Sequence, residues 1–143
     1  MTETIIGCLI RVHRALGPGF REKVYQRALL VEFRRVGLEV EREVVIPISY
    51  ENRRVGSHRL DLVVEGTIVI ELKAVREITK VHYAQLRSYM RASGIPIGLL
   101  TNFSLERTDV RRLDAKPSPP PPNPPPLSKK AGETLATRIN TRQ

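Results

Sequence analysis

Apolar positions near the start of the chain recur with a helical period. Ile5, Leu9, Val12 and Leu16 are spaced by four, three and four residues, so 4–16 reads as one amphipathic helix. Gly17-Pro18-Gly19 interrupts it. A second helix is predicted from about Phe20 to Val36, with Tyr25, Leu29, Phe33 and Val36 on one stripe and Gly37 as its stop. At Leu38 the period changes to two. Leu38 and Val40, then Val44, Ile46, Ile48 and Tyr50, alternate with polar or smaller residues, which predicts one long or broken strand. Pro47 lacks a ladder donor and places that strand at an edge or a bulge. Glu51-Asn52-Arg53 reads as a turn into a strand over about 54–64, and a further strand follows over 68–74. Thr79 can cap a third helix that reaches Ala92 and stops at Gly94. Ile97 to Asn102 reads as a short apolar strand, and Val110 to Leu113 as a last edge strand. The order is ααβββαββ, which predicts an α+β fold with helices flanking a mixed β-sheet.

The pattern stops near Ala115. Eight of the eleven prolines lie in 117–126, where missing donors exclude helix and sheet and favour extended polyproline II. The expected organisation is a folded domain over 1–115 and a proline-rich tail over 116–143 expected to be disordered. That tail is read first as a stiff extension and second as a ligand for a proline-binding domain.

Two of the strands carry charges that apolar strands do not ordinarily tolerate. Leu60-Asp61-Leu62-Val63-Val64 and Ile68-Val69-Ile70-Glu71-Leu72-Lys73-Ala74 are apolar enough to be central, so Asp61, Glu71 and Lys73 are costly unless paired, hydrated or bound to a metal. Alternation groups Leu60, Leu62 and Val64 on one face, and Val69, Glu71 and Lys73 on the other face of the second strand. Matching the apolar faces across a hairpin requires an odd loop. The three residues Glu65-Gly66-Thr67, with Gly66 taking the unusual dihedrals, set Asp61 opposite Glu71, where Cβ atoms are about 4.5–5.5 Å apart. Two carboxylates so close repel unless a cation lies between them or one is protonated. Lys73 emerges two residues on. A hard divalent cation such as Mg²⁺ suits such a site, because it takes carboxylates, waters and substrate phosphates as ligands. A cross-strand salt bridge on a solvated face is the plainer alternative.

Charge shifts the picture only slightly. The chain of 143 residues has a net charge of +9, but five Lys/Arg against one acid in 115–143 leave +5 on the part expected to fold. That is compatible with a nucleic-acid partner without requiring one. No apolar run reaches the length of a membrane span, the first residues do not read as a signal peptide, and the single Cys8 has no internal partner. A reducing cytoplasm is the expected compartment.

Taken together, these residues resemble a known family. Asp61 followed after nine residues by Glu71-Leu72-Lys73 resembles the core of the PD-(D/E)xK nuclease superfamily. Gly19-Phe-Arg-Glu22-Lys-Val-Tyr25 is similar to the motif of its GxxExxY branch, and Gly37-Leu38-x-Val40-x-Arg42, Arg59-x-Asp61-Leu62, Glu71-Leu72-Lys73-Ala74-Val75 and Gln85-Leu86-x-x-Tyr89 match in order from about Thr4 to Leu113. Leu60 stands where the superfamily name has proline. The resemblance implies a restriction-endonuclease-like core with Asp61 and Glu71 as metal ligands and Lys73 as catalytic lysine. It adds Glu22 as a further acid and Gln85 as a further site residue. It implies Mg²⁺- or Mn²⁺-dependent phosphodiester hydrolysis of nucleic acid, DNA first, with a homodimer compatible with cutting two strands. A catalytically silent nucleic-acid- or protein-binding module on the same fold is the alternative. His58 and His82 read as structural or surface groups.

Overall fold

The structure is a computed structural model that describes residues 1–116; the proline-rich and tail readings for 117–143 lie outside the described residues. The elements are α1 (Thr2–Leu16), α2 (Glu22–Arg35), β1 (Val40–Tyr50), β2 (Arg53–Val64), β3 (Ile68–Lys73), α3 (Lys80–Ser93), β4 (Ile97–Asn102) and β5 (Asp109–Asp114). They follow the predicted order. The five strands form one sheet in the order β1-β2-β3-β4-β5. Only the β3–β4 pair is parallel, and α3 makes that crossover. β1 is an edge strand, as expected from Pro47, which pairs with Ser57 there.

The sheet divides two apolar layers. On one face α1 and α2 pack Ile5, Leu9, Tyr25, Leu29 and Phe33 against Leu62, Val64, Ile68, Ile70 and Leu72. On the other, Leu86 and Met90 of α3 pack against Leu60, Val63, Val69 and Leu100. Gly98 permits the second layer to close: a Cβ there would sit 2.7 Å from Met90 Sδ. The α3 start is fixed by a capping box in which the Thr79 N–H donates to His82 Nδ1 at 2.9 Å.

The loop Glu65-Gly66-Thr67 forms as expected, with Val64 paired to Ile68 and the Thr67 N–H returning to Val64 O at 3.1 Å. Gly66 has positive φ (67°), and Glu65 shares that region (54°). One expected alternation fails. Leu60 does not share a face with Leu62 and Val64; it packs in the α3 layer with Val63. The cause is a break in both ladders beside Asp61. Pairing with β3 ends at Leu62↔Ile70, and pairing with β1 skips from Arg42↔Leu62 to Val44↔Leu60, because Glu43 takes a positive φ of 51°.

Candidate active site

That break frees the backbone groups around Asp61, and buried backbone polar groups need partners. Side chains supply them. The Asp61 N–H donates to Glu71 Oε1 at 3.4 Å, and the Asp61 carbonyl accepts from Gln26 Nε2 at 3.0 Å. The Leu72 N–H donates to Asp61 Oδ2 at 2.7 Å. The ladder is thus replaced for one residue by a knot of carboxylates and one amide, at the position opposite Glu71 that the hairpin register predicts.

The two acids are desolvated. Glu71 is only 5% exposed. Burial first, and then the charge of Asp61, pushes its carboxyl up to about 8. Asp61 is also pushed up, by burial first; the Leu72 N–H and Lys73 oppose the shift while Glu22 and Glu43 add to it. Lys73 is half-buried at the end of β3 and makes no ion pair among the described residues. Its charge lowers both carboxyls without neutralising either.

Glu22 reaches the same place from the first turn of α2. Its Oε2 accepts the Ala74 N–H at 3.3 Å, directly after Lys73. The motif residues around it explain how. Tyr25 stacks on Phe103, with ring centroids 4.2 Å apart at 5°. Its hydroxyl donates to Gly17 O at 2.6 Å and accepts from the Phe20 N–H at 3.2 Å. The turn before α2 is therefore pinned to the helix itself, with Gly19 at φ 112°, a conformation that disfavours a side chain. Glu22, Gln26, Glu43, Arg59 and Asp61 line a cleft of about 210 Å³.

Gln85 is not drawn in. It is exposed on α3, and among the described residues no hydrogen bond ties it to the carboxylates. One turn later, Tyr89 feels both acids: burial first, then Glu71 and Asp61, push its hydroxyl up. Tyr89 stacks on His58 at 3.5 Å. Burial, followed by the Lys73 charge, pushes His58 down, and its Nε2 has no partner among the described residues. His82 is spent on the α3 cap.

Two residues of this neighbourhood, Gln26 and Asn102, escaped the sequence reading. Gln26 lies one helical turn after Glu22, a spacing that could have flagged it. Asn102 is buried where β4 runs beside Lys73; its Oδ1 accepts the Val75 N–H at 3.1 Å and its Nδ2 donates to Val75 O at 2.8 Å, tethering the exit of β3. The Tyr89–His58 stack had no local signal.

The donor set fits a hard cation. Two desolvated carboxyls that both resist ionisation, Glu71 up to about 8, are stabilised by a cation placed between them. No cluster of three or more His, Cys, Asp or Glu side chains suited to a metal occurs among the described residues. Two carboxylates beside an open cleft are a donor set that a hard divalent cation accepts, with water or phosphate oxygens completing its shell.

Comparisons with known proteins bear on the family and the fold. The sequence model of the PD-(D/E)XK nuclease superfamily matches residues 1–113. The solved structure of SSO0001 aligns over 67% of this chain and 50% of its own, at 19% identity and a TM-score of 0.50. This chain thus spans about half the length of that protein. An alkaline exonuclease (LHK-Exo) from Laribacter hongkongensis aligns over 81% of this chain and 83% of its own, at 13% identity and a TM-score of 0.44. No curated protein is matched by the sequence. The fold is the mixed sheet flanked by helices of restriction-endonuclease-like nucleases. No helix among the described residues is long and apolar enough to cross a membrane.

Proposed function

The chain belongs to the PD-(D/E)XK nuclease superfamily, and from that premise we propose that it hydrolyses phosphodiester bonds of nucleic acid, DNA first, with Mg²⁺ or Mn²⁺ held by Asp61 and Glu71. Nucleases of this superfamily generally use divalent metal ions. The observation that carries the proposal is the pair of desolvated carboxylates at the break in β2, with an uncompensated lysine two residues away. When bound, the metal polarises a phosphoryl oxygen and lowers the pKa of water.

The chain's own residues do the rest. Asp61 and Glu71 supply negative oxygens in a site with little competing water. Lys73 presents an ammonium to the scissile phosphate, where it offsets charge that develops on the phosphoryl oxygens. Glu22 accepts the Ala74 N–H and so fixes the end of the strand that carries Lys73. Gln85, exposed at the α3 surface, takes a substrate-contacting role in this reading and no metal. Within the superfamily we assign the chain to the GxxExxY branch, because Gly19, Glu22 and Tyr25 act together as one turn-and-helix device at the site. A homodimer that offers one site to each strand of a duplex belongs to the same reading, and sedimentation reads it directly.

The test is nicking of plasmid and of single-stranded DNA and RNA with Mg²⁺ or Mn²⁺, alongside calorimetric titration of Mn²⁺. Cleavage and metal binding by the wild type, both lost in Asp61→Ala, are expected. Equal behaviour of the two proteins on every substrate would remove the catalytic assignment. The alternative is a silent binder on the same fold. Salt-dependent nucleic-acid binding that survives Lys73→Ala with no cleavage by the wild type would select it.

A further inference from the structure

β2 does not stop being a strand where the sheet stops. It pairs with β3 only at Leu62–Val64, yet it continues outward to Arg53, paired with β1 alone. Residues 47–57 are all exposed, so beyond Ile46 and His58 the two strands form a free ribbon. Four residues on β1 (47–50) and five on β2 (53–57) give it a reach of roughly 15 Å. A two-residue turn closes it, with Glu51 and Asn52 both at positive φ (51° and 60°), the twist-matched geometry of tight hairpins. The register shifts between Ile48 and Ser49, leaving Val55 as the extra residue of a bulge.

A lone two-stranded ribbon is marginal in water, and this one displays apolar groups: Tyr50 is 68% and Val55 63% exposed. Tyr50 and Arg53 are cross-strand partners and share a face at the tip, while Arg54, paired with Ser49, lies on the ribbon's other face, so the two arginines flank the tip from both sides. Neither arginine makes an ion pair among the described residues. The ribbon's inner end is Arg59 and Asp61, which line the cleft with Glu22. From tip to base, one continuous strand joins two free guanidiniums to the carboxylate site.

We propose that the β1–β2 ribbon is a nucleic-acid arm: Arg53 and Arg54 hold backbone phosphates, and Tyr50 lays its ring on the strand that passes into the cleft. The inference rests on the nuclease reading of that cleft. Charge selects the occupant. The tip offers two unpaired cations against one acid, Glu51, which matches a polyanion. A second copy of the chain would present the same cations to themselves. The few apolar side chains here also fall well short of the roughly 800 Å² per partner that a stable protein interface buries. An exposed aromatic ring stacks on any base without sequence preference, which suits an arm that grips substrate rather than reads it.

Fluorescence anisotropy of labelled duplex and single-stranded oligonucleotides, with EDTA present to prevent cleavage, tests the arm. Cleavage of the same oligonucleotides in Mg²⁺ by wild type and Asp61→Ala is run beside it. Losing two phosphate contacts in Arg53→Ala/Arg54→Ala is expected to weaken binding about tenfold near 200 mM salt and to reduce the salt slope by roughly 1.4–1.8. Tyr50→Ala weakens binding with the slope unchanged, and Arg53→Glu/Arg54→Glu exceeds the alanine pair. Circular dichroism confirms that each variant is folded. Equal losses from Arg14→Ala/Arg34→Ala, two arginines outside the ribbon, would make the effect one of overall charge and overturn the arm. Unchanged binding in the ribbon variants overturns it too, as does a ribbon variant that only converts a dimer to a monomer in sedimentation. Cleavage independent of Asp61 with binding still dependent on the ribbon would sink the nuclease reading and leave the arm standing. A wild type that binds no nucleic acid sinks both.

Discussion

Two concave regions of this molecule treat a nearby glutamate in opposite ways. The larger, a groove of about 650 Å³ across the outer surfaces of α1 and α2, holds Glu32 between Arg35 at 2.9 Å and Arg11 at 3.4 Å. The Arg35 hydrogen bond holds that carboxyl below the usual range. The smaller cleft, at Asp61, adjoins Glu71, whose carboxyl burial pushes up to about 8. The larger groove is the electrostatically satisfied one: its acid already has its cations, at exposed positions where such pairs contribute little. In the smaller cleft Glu43 has its cations, Lys23 and Arg59, but Asp61 and the adjoining Glu71 make no ion pair among the described residues. Size does not mark chemistry here; unpaired burial does.

The contrast predicts different outcomes for the two acids. The largest effect falls on cleavage: Asp61→Ala or Glu71→Ala lowers Mg²⁺-dependent turnover by roughly 10³-fold, on the scale of removing one key electrostatic group. Glu32→Gln stays within about twofold of wild type in the same assay. A Glu32 variant as damaged as Glu71→Ala would end the comparison.

Metal binding comes next. At a hundredfold excess over its dissociation constant, Mn²⁺ adds about 2.7 kcal/mol to stability, a rise of several degrees in Tm. At equal Mn²⁺ the rise is larger at pH 8 than at pH 6, because the metal competes with a proton on Glu71. Glu71→Gln loses most of the rise at both pH values, and a differential scan that finds it intact would move the metal elsewhere.

A third outcome is read without metal. The folded protein keeps a proton on Glu71 that the unfolded chain releases, so its stability falls as pH rises from about 4.5 through 8. Glu32, with its lowered value, contributes in the opposite sense: its stabilisation is present above the unfolded pKa and fades as pH drops through the folded one. Denaturant midpoints measured from pH 5 to 8 should decline for wild type and flatten in Glu71→Gln, while Glu32→Gln leaves the decline in place. A wild-type profile with no decline would mean that Glu71 is not desolvated in solution.

The smallest effect sharpens the structural side. Tyr25→Phe removes the hydroxyl bonds to Gly17 and Phe20 and costs about 1 kcal/mol. Its loss of turnover should exceed that of an equally destabilising substitution in the α1–α2 layer, since the turn it pins carries Glu22. Matched losses would reduce Tyr25 to a core residue.

Much of the arrangement was legible in the residues. The change from a period near 3.6 to a period of two at Leu38 located the helix-to-sheet transition, and the odd loop Glu65-Gly66-Thr67 fixed the hairpin register that faces Asp61 toward Glu71. Those signals are local, carried by spacings of a few residues. Gln26 and Asn102 were not recovered as parts of the site, and the stack of Tyr89 on His58 was not foreseen, because each contact spans 27 residues of chain or more, where periodicity carries no information. Gln85, which the family resemblance adds to the site, lies at the exposed surface of α3.

The sequence by itself determined the elements, their order and the two strands that carry Asp61, Glu71 and Lys73, since apolar periodicity and one tight loop are enough to do so. It also predicted the wrong face for Leu60, because alternation holds only while a ladder is unbroken. Only the tertiary structure decided that the ladder breaks at Asp61. Glu43 across β1, Gln26 from α2 and the Leu72 N–H from β3 must all arrive together before breaking it costs less than keeping it. The desolvation that pushes Glu71 up to about 8 is set the same way, since burial is a property of what packs around a residue and not of its neighbours in the chain.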